Sequence, residues 1–201
     1  MTKKYKLTHH TKVVEGHTLH RIKALKSFGD VRKGDLGGWV ESYSNLSQKG
    51  TAWIYDKAKV YNNAYVVGNA KVLDKAQIYG NACVYDNAIV RGHAEIYDHA
   101  VVYGKAWVYD DTRVWGYAAI SGNAHVYGNA RIYGKAKVHG NAIVCGYAHV
   151  CGNVHVYDNA KVYGDSILQG RINIREDDDI KDKYSYLIFN NTWSAVCLRP
   201  I

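Results

Sequence analysis

Residues 124–141 read AHVYGNARIYGKAKVHGN. The stretch holds three six-residue units, and each sets an alanine (Ala124, Ala130, Ala136) two positions before an aliphatic residue (Val126, Ile132, Val138). Working outward, the alanine slot recurs from Leu46 through Ala52 and Ala58 to Ala160 and Ser166, with Thr112 and Val154 as the other exceptions. The aliphatic slot opens on a misfit, Gln48, and then holds Val, Ile or Leu from Ile54 to Leu168 without a break. Drawn this way, the frame needs no insertion or deletion. So strict a period marks a solenoid, whose short units bury their apolar side only by stacking on neighbours.

Within one hexad, Ala130 and Ile132 alternate with Arg131 and Tyr133, which is the period-two pattern of a strand with one buried face. Gly134 and Lys135 then form a corner before Ala136 begins the next strand. The first corner position is Gly or Asp throughout, with Asn62 the only other occupant, and Asn is the commonest residue after it. These residue types accept the left-handed backbone of a tight turn. A strand of about four residues cannot stand alone, so it must pair with the equivalent strand one coil away. Where corners pinch the section only alanine fits, and the middle of each face takes Val or Ile.

The pattern small-x-[VI]-x-[GD]-x resembles the hexapeptide repeat of left-handed parallel β-helix proteins, and within them the YdcK-like group. The stretch Ser27 to Ser42, SFGDVRKGDLGGWVES, also resembles the lead-in to the first coil in YdcK-like and phage-borne relatives. The resemblance implies an all-β, single-stranded left-handed parallel β-helix of about seven coils, three hexads to a coil. General rules favour right-handed parallel crossovers in about 98% of cases, so the left hand rests on the resemblance. In the family the small Gly/Asp often follows the aliphatic residue directly, whereas here Tyr mostly intervenes. On this reading residues 1–45 form an N-terminal β cap, 46–174 the helix and 175–201 a C-terminal capping segment. In the first cap, Tyr5–Leu7 and Leu19–Ile22 read as strands around a Glu15-Gly16-His17 turn, followed by a Gly-rich turn from Gly34 to Gly38. At the far end Glu176–Asp179 breaks the repeat, and Tyr184–Phe189 with Thr192–Cys197 reads as a hairpin closing on Asn190-Asn191.

Charge is uneven. Of the net +8, residues 1–45 carry nine Lys/Arg against four Asp/Glu, so the cap is the expected contact for an anionic partner. Lys3, Lys4, Lys6, Arg21, Lys23, Arg32 and Lys33 are its candidate contacts. Cys83, Cys145, Cys151 and Cys197 make no CxxC pair and no disulfide framework, which fits a reducing compartment. The opening MTKKYKLTHHTK lacks the apolar stretch of a secretory signal, and no apolar run nears the roughly 20 residues of a membrane span. A cytoplasmic protein is expected, in the host cytoplasm if it is phage-encoded.

A period of eighteen sorts the outward residues by face. One face carries an aromatic ladder beside a basic column, and Tyr79, Tyr97, Arg113, Trp115, Arg131 and Tyr133 are its ligand-binding candidates, with rings for a base and guanidinium groups for phosphate. The other two faces are more apolar, and Tyr65, Cys83, Val101, Ala119, Tyr85, Tyr103 and Trp107 are candidate oligomer contacts. The resemblance implies a trimer. Its best-known members are acyl-CoA-dependent acyltransferases with a histidine base, and His93, at a corner near Asp111, is the weak catalytic candidate. No metal ligand set, phosphate loop or dinucleotide fingerprint occurs, since His9-His10 stands alone and the glycines follow the hexad. The reading is a non-enzymatic, cofactor-free homo-oligomer that binds or scaffolds, taking a nucleotide-type anion or blocking a host protein. Nucleic acid stays open as a partner without a motif behind it, and no membrane contact is expected. The alternative is an acyltransferase using coenzyme A.

Overall fold

The computed structural model describes residues 3–175 and 179–181 and, as backbone, 185–188. Two-residue ladders replace the expected four-residue strands: Trp53–Ile54, Lys59–Val60 and Tyr65–Val66 complete the first circuit, and the pattern repeats to Asn173–Ile174. Each ladder pairs in parallel with the one eighteen residues on, as Glu95 pairs with Arg113 and Ile96 with Val114. Three sheets result, of eleven, eight and seven strands among the described residues. The chain is a three-sided parallel β-solenoid. Eight strands on the Trp53 face make about eight coils rather than seven, and the seven spacings of about 4.8 Å give a column roughly 34 Å long.

The alanine and aliphatic slots fill the axis. From Ala52 to Leu168 both are fully buried, in one continuous apolar cluster. Where a hydroxyl replaces alanine it turns back on its own coil: Thr112 Oγ1 donates to Tyr109 O at 2.7 Å and Ser166 Oγ to Tyr163 O at 2.6 Å. Corners are left-handed at both residue types, Gly122 at φ 66° and Asp98 at φ 56°. The aspartates accept the strain and return a hydrogen bond across coils, since Asp98 Oδ2 takes the Gly116 N–H at 3.2 Å and Asp74 Oδ2 that of Gly92 at 3.0 Å. The following asparagines form ladders of their own, such as Asn123 Nδ2 to Asn141 Oδ1 at 3.0 Å and Asn141 to Asn159 at 3.1 Å.

Four expectations are corrected. The hexad frame begins at Ala52, not Leu46: Leu46 bridges Val66, twenty residues away, so it fills an aliphatic place and two extra residues lie between them. Gln48 then leaves the repeat to serve the cap, accepting the Lys4 N–H at 2.7 Å. The Gly34–Gly38 turn is partly a strand: β3 (Leu36–Val40) pairs in parallel with Lys59–Val60 and antiparallel with β2 (His17–Ala24), which pairs with β1 (Tyr5–Val14). Gly37 and Gly38 are glycine because the first coil presses on them, a Cβ on Gly37 lying 2.6 Å from Ile54 O and one on Gly38 2.6 Å from Ala58 O. Finally, the solenoid register outlasts Ile174. Asp179–Lys181 pairs with Lys161–Tyr163, and Ser185–Ile188 runs parallel to Ile167–Gly170 where a hairpin arm was expected. The second arm of that hairpin lies outside the described residues.

The corners generate a stability prediction. Gly122→Ala combines φ 66° with a Cβ 2.8 Å from Gly140 N and O, so it is expected to cost about 1–3 kcal/mol or more. Gly16→Ala keeps a positive φ but meets nothing within 4 Å, and it should cost less. Urea midpoints of the two variants check the order; equal losses would remove coil-to-coil contact as the reason for corner glycine.

Candidate functional site

β1 and β2 extend one face of the solenoid beyond its first coil, and the junction leaves an open depression of about 580 Å³. Lys12 and Arg21 come from the hairpin, Trp39 from β3, and Asp56, Lys57, Lys59 and Lys75 from the first two coils. The alternation of outward residues puts Trp39 beside its ladder partner Lys59. Lys12 Nζ sits 4.3 Å above the Trp39 ring, with the Arg21 guanidinium 5.8 Å from it. Arg21 Nε donates to Gly37 O at 3.2 Å, and Lys59 Nζ to Gln77 Oε1 at 3.1 Å. Among the described residues none of these five cations is within ion-pair distance of a carboxylate. Burial first, then the charges of Lys59 and Arg21, push the Lys12 ammonium down to about 8. Asp56 lines the hollow with them, and five cations against this one carboxylate leave it strongly positive.

Only Arg21 of the seven expected cap contacts lines this depression. Lys6 and Lys23 are exposed partners across the hairpin, and Arg32 and Lys33 lie on an exposed turn. Lys3 lines a second depression of about 660 Å³ with Lys26, Phe28, Gln48 and Lys49. Lys4 is buried beneath it, donating from Nζ to Ala52 O at 2.9 Å. Sequence reasoning missed Lys12, Trp39, Lys57, Lys59 and Lys75, because their convergence depends on how the hairpin docks.

His17 pins the hairpin tip. Its Nδ1 lies 3.0 Å from Glu41 Oε1, and since a carboxylate only accepts, Nδ1 carries the proton. Nε2 then accepts from Asn62 Nδ2 at 3.0 Å. Glu41 Oε2 also takes the Asn62 N–H at 2.7 Å, and the hydrogen bond from His17 is the main reason its carboxyl is held below the ordinary range. Asn62, at φ 55°, is the one corner residue that is neither Gly nor Asp, and this contact accounts for it. The sequence exception was the available signal.

Tyr79, Tyr97, Trp115 and Tyr133 form the expected ladder, extended upward by Tyr61. Centroids are 4.4 to 5.7 Å apart and planes within 9° of parallel. Each inner ring therefore has both faces covered by its neighbours, leaving edges but no open ring face. Arg113 Nε approaches Glu95 Oε2 at 3.5 Å, while Arg131 is exposed. The ladder residues come together; the open cavity lies above them, at the cap.

Tyr65, Cys83, Val101 and Ala119 form one ladder column on the seven-stranded face, all half-buried. Tyr85 and Tyr103 stack beside it at 4.9 Å, and Trp107 is exposed on the adjacent face. His93 Nδ1 lies 3.5 Å from Asp111 Oδ1, both well exposed. The backbone ladder runs Lys57 to Asp74, Lys75 to Gly92 and His93 to Asp110, so His93 stands one coil beyond Lys75 on the same corner. Cys83, Cys145 and Cys151 are free thiols, and Cys197 lies outside the described residues. No helix of the described residues is long and apolar enough to cross a membrane, and no three His, Cys, Asp or Glu side chains among them converge to hold a metal.

Among known proteins, a family model described as "YdcK Beta solenoid repeat" matches residues 76–92 and 124–140. A curated relative from Escherichia coli (strain K12), "Uncharacterized acetyltransferase YdcK", is 38% identical over 55 residues. The match covers 27% of this chain and 17% of the relative, under a fifth of that protein's length. The repeats of this solenoid are YdcK-like.

The buried ammonium groups fix a pH profile. Lys4 and Lys12 both lie near 8, below the ordinary 10.5, so the unfolded chain holds more protons from about pH 8 upward and stability should rise with pH there. The phenols of Tyr5, Tyr55, Tyr61 and Tyr79 are pushed above the ordinary 10.0, chiefly by burial. Above about pH 10 they ionise first in the unfolded chain, and stability should fall. Denaturation midpoints from pH 7 to 11 should therefore pass through a maximum near pH 10; a monotonic fall from pH 8 contradicts it.

Proposed function

For a chain built of YdcK-like solenoid repeats, we propose that the function is binding: the cap end engages an anionic partner through the depression of Lys12, Arg21, Trp39, Lys57, Lys59 and Lys75. The observation that carries this is five cations lining one hollow with a single carboxylate, Asp56, and no ion pair among them, the Lys12 ammonium being lowered first by burial and then by Lys59 and Arg21. Like charges so placed lower stability, and an anion that binds the folded state returns it. The aromatic ladders serve as structure, each stacked pair contributing about 0.2–1 kcal/mol. In this reading the protein needs no cofactor, works in the cytoplasm, and sequesters a small anion or covers a host protein, a role suited to a phage-borne gene.

Assembly through the seven-stranded face belongs to the same proposal. Cys83, Val101 and Ala119 offer a flat, half-buried column of small side chains, flanked by Tyr85 and Tyr103, and a homotrimer is the favoured form. Light scattering should give a mass near three times 22.6 kDa, and Val101→Lys should lower it. A monomer at all concentrations counts against the interface.

The printed name of the Escherichia coli relative favours a second reading, acyl transfer. The depression's cations suit the phosphates of coenzyme A, which would carry the acyl group, and His93, oriented by Asp111 one coil beyond Lys75, is placed to take a proton from an acceptor. One pair of measurements separates the readings. Retention on phosphocellulose should fall with salt and drop in Lys12→Gln and Lys59→Gln, while incubation with acetyl-CoA and amine acceptors should release no thiol. Thiol release abolished by His93→Ala would replace binding with catalysis; retention unchanged in both lysine variants would remove the depression as the site.

A further inference from the structure

Resting on the reading that the cap end binds an anion, we propose that the depression takes the linear phosphoanhydride chain of a small molecule, two or three phosphates long, between the hairpin cations Lys12 and Arg21 and the coil cations Lys57, Lys59 and Lys75. The cations occupy a bounded stretch of the surface. Down the face, Lys59 is followed by Gln77 and then Glu95, which already holds Arg113. Down the corner, Lys57 and Lys75 are followed by His93 and then Asp111. The cationic field therefore runs from Lys12 on β1 to Lys75 one coil below Lys57, four strand spacings of about 4.8 Å or roughly 19 Å along the axis.

That length is short for an extended polyanion. A dimeric duplex-binding protein spaces its two contacts about 34 Å apart, one helical turn, and this field falls well short of that. A single strand needs free aromatic faces to stack its bases. Here Trp39 has Lys12 over its ring, and the rings below are closed against one another. Stacking has no platform in the hollow, whereas charge has five donors. Lysine acts as a mobile point charge and arginine as a fork, so a short chain of oxygens with several negative charges uses both. Lys57 and Lys75 project from one corner in consecutive coils, so a chain of two or three phosphates laid along the axis can meet both.

The test is calorimetric titration of the full chain with inorganic triphosphate, a nucleoside triphosphate, the same nucleoside without phosphate, coenzyme A and a short single-stranded oligonucleotide. Triphosphate should bind, the bare nucleoside should not, and the nucleoside triphosphate and coenzyme A arms then tell which source the hollow accommodates. Lys12→Gln should weaken triphosphate about tenfold, as should Lys75→Gln, whose exposed corner position leaves the fold unaffected. Lys161→Gln, exposed at the far end, should change nothing. A second readout is specific to the site. An anion raises the Lys12 ammonium from about 8, so binding at pH 8 should take up protons and its heat should vary with buffer, an effect absent in Lys12→Gln. Binding of the oligonucleotide without triphosphate overturns this inference while leaving the anionic-partner reading standing. No binding by any phosphate compound overturns both.

Discussion

Every coil of this protein is held by the one before it. The backbone N–H of Tyr97 donates to Val114 O, that of Trp115 to Ile132 O, and that of Tyr133 to Val150 O, so each coil is satisfied only when its neighbour is in place. The eighteen-residue repeat is the condition for this. Each corner must turn in the same number of residues, and it does so by sending one residue per hexad into the left-handed region. Stability in such a stack is a chain of nearest-neighbour terms, and the two ends are the places where the terms run out.

The same constraint decides where function can lie. Along the faces, many outward side chains meet a matching partner at ladder spacing. The rings stack, asparagines bond to asparagines, and Arg113 meets Glu95. Such columns satisfy themselves. At the cap the repetition stops, residues from three unrelated stretches are pressed together, and among the described residues their five cations form no ion pair. The hollow of Lys12, Trp39 and Lys59 is the product of that break in symmetry.

The hexad was fully legible, because the pattern is local: alternation, a small slot and a turn residue can be counted without knowing which strand meets which. The coil-on-coil pairing followed from it. What was misjudged lies where contacts cross registers. Leu46 satisfies the period by eye yet bridges Val66, since two extra residues shift the first coil against the cap. Gly37 and Gly38 look like a turn, although their role is to let Ile54 and Ala58 come close. The acidic stretch after Ile174 reads as a break, yet Asp179–Lys181 keeps the eighteen-residue partner. Net charge pointed to the cap, but composition could not say that Lys6 and Lys23 face away while Lys12 joins Lys57, Lys59 and Lys75.

Exceptions to the repeat carried more information than the repeat itself. Gln48 breaks the aliphatic slot and anchors Lys4; Asn62 breaks the corner rule and holds His17. Gln48 lies just before the first coil and Asn62 within it, and both tie the hairpin that delivers Lys12 and Arg21 to the solenoid that delivers Lys57, Lys59 and Lys75. The hairpin joins the continuous core through Tyr5, Ile22 and Ala24, and these polar links add to that packing where the cations meet. The positions that depart from the hexad therefore build the cap junction, and the cap junction builds the hollow. In a solenoid whose interior repeats so closely, unbalanced charge gathers at the capped end, in this hollow and in the neighbouring one of Lys3, Lys26 and Lys49.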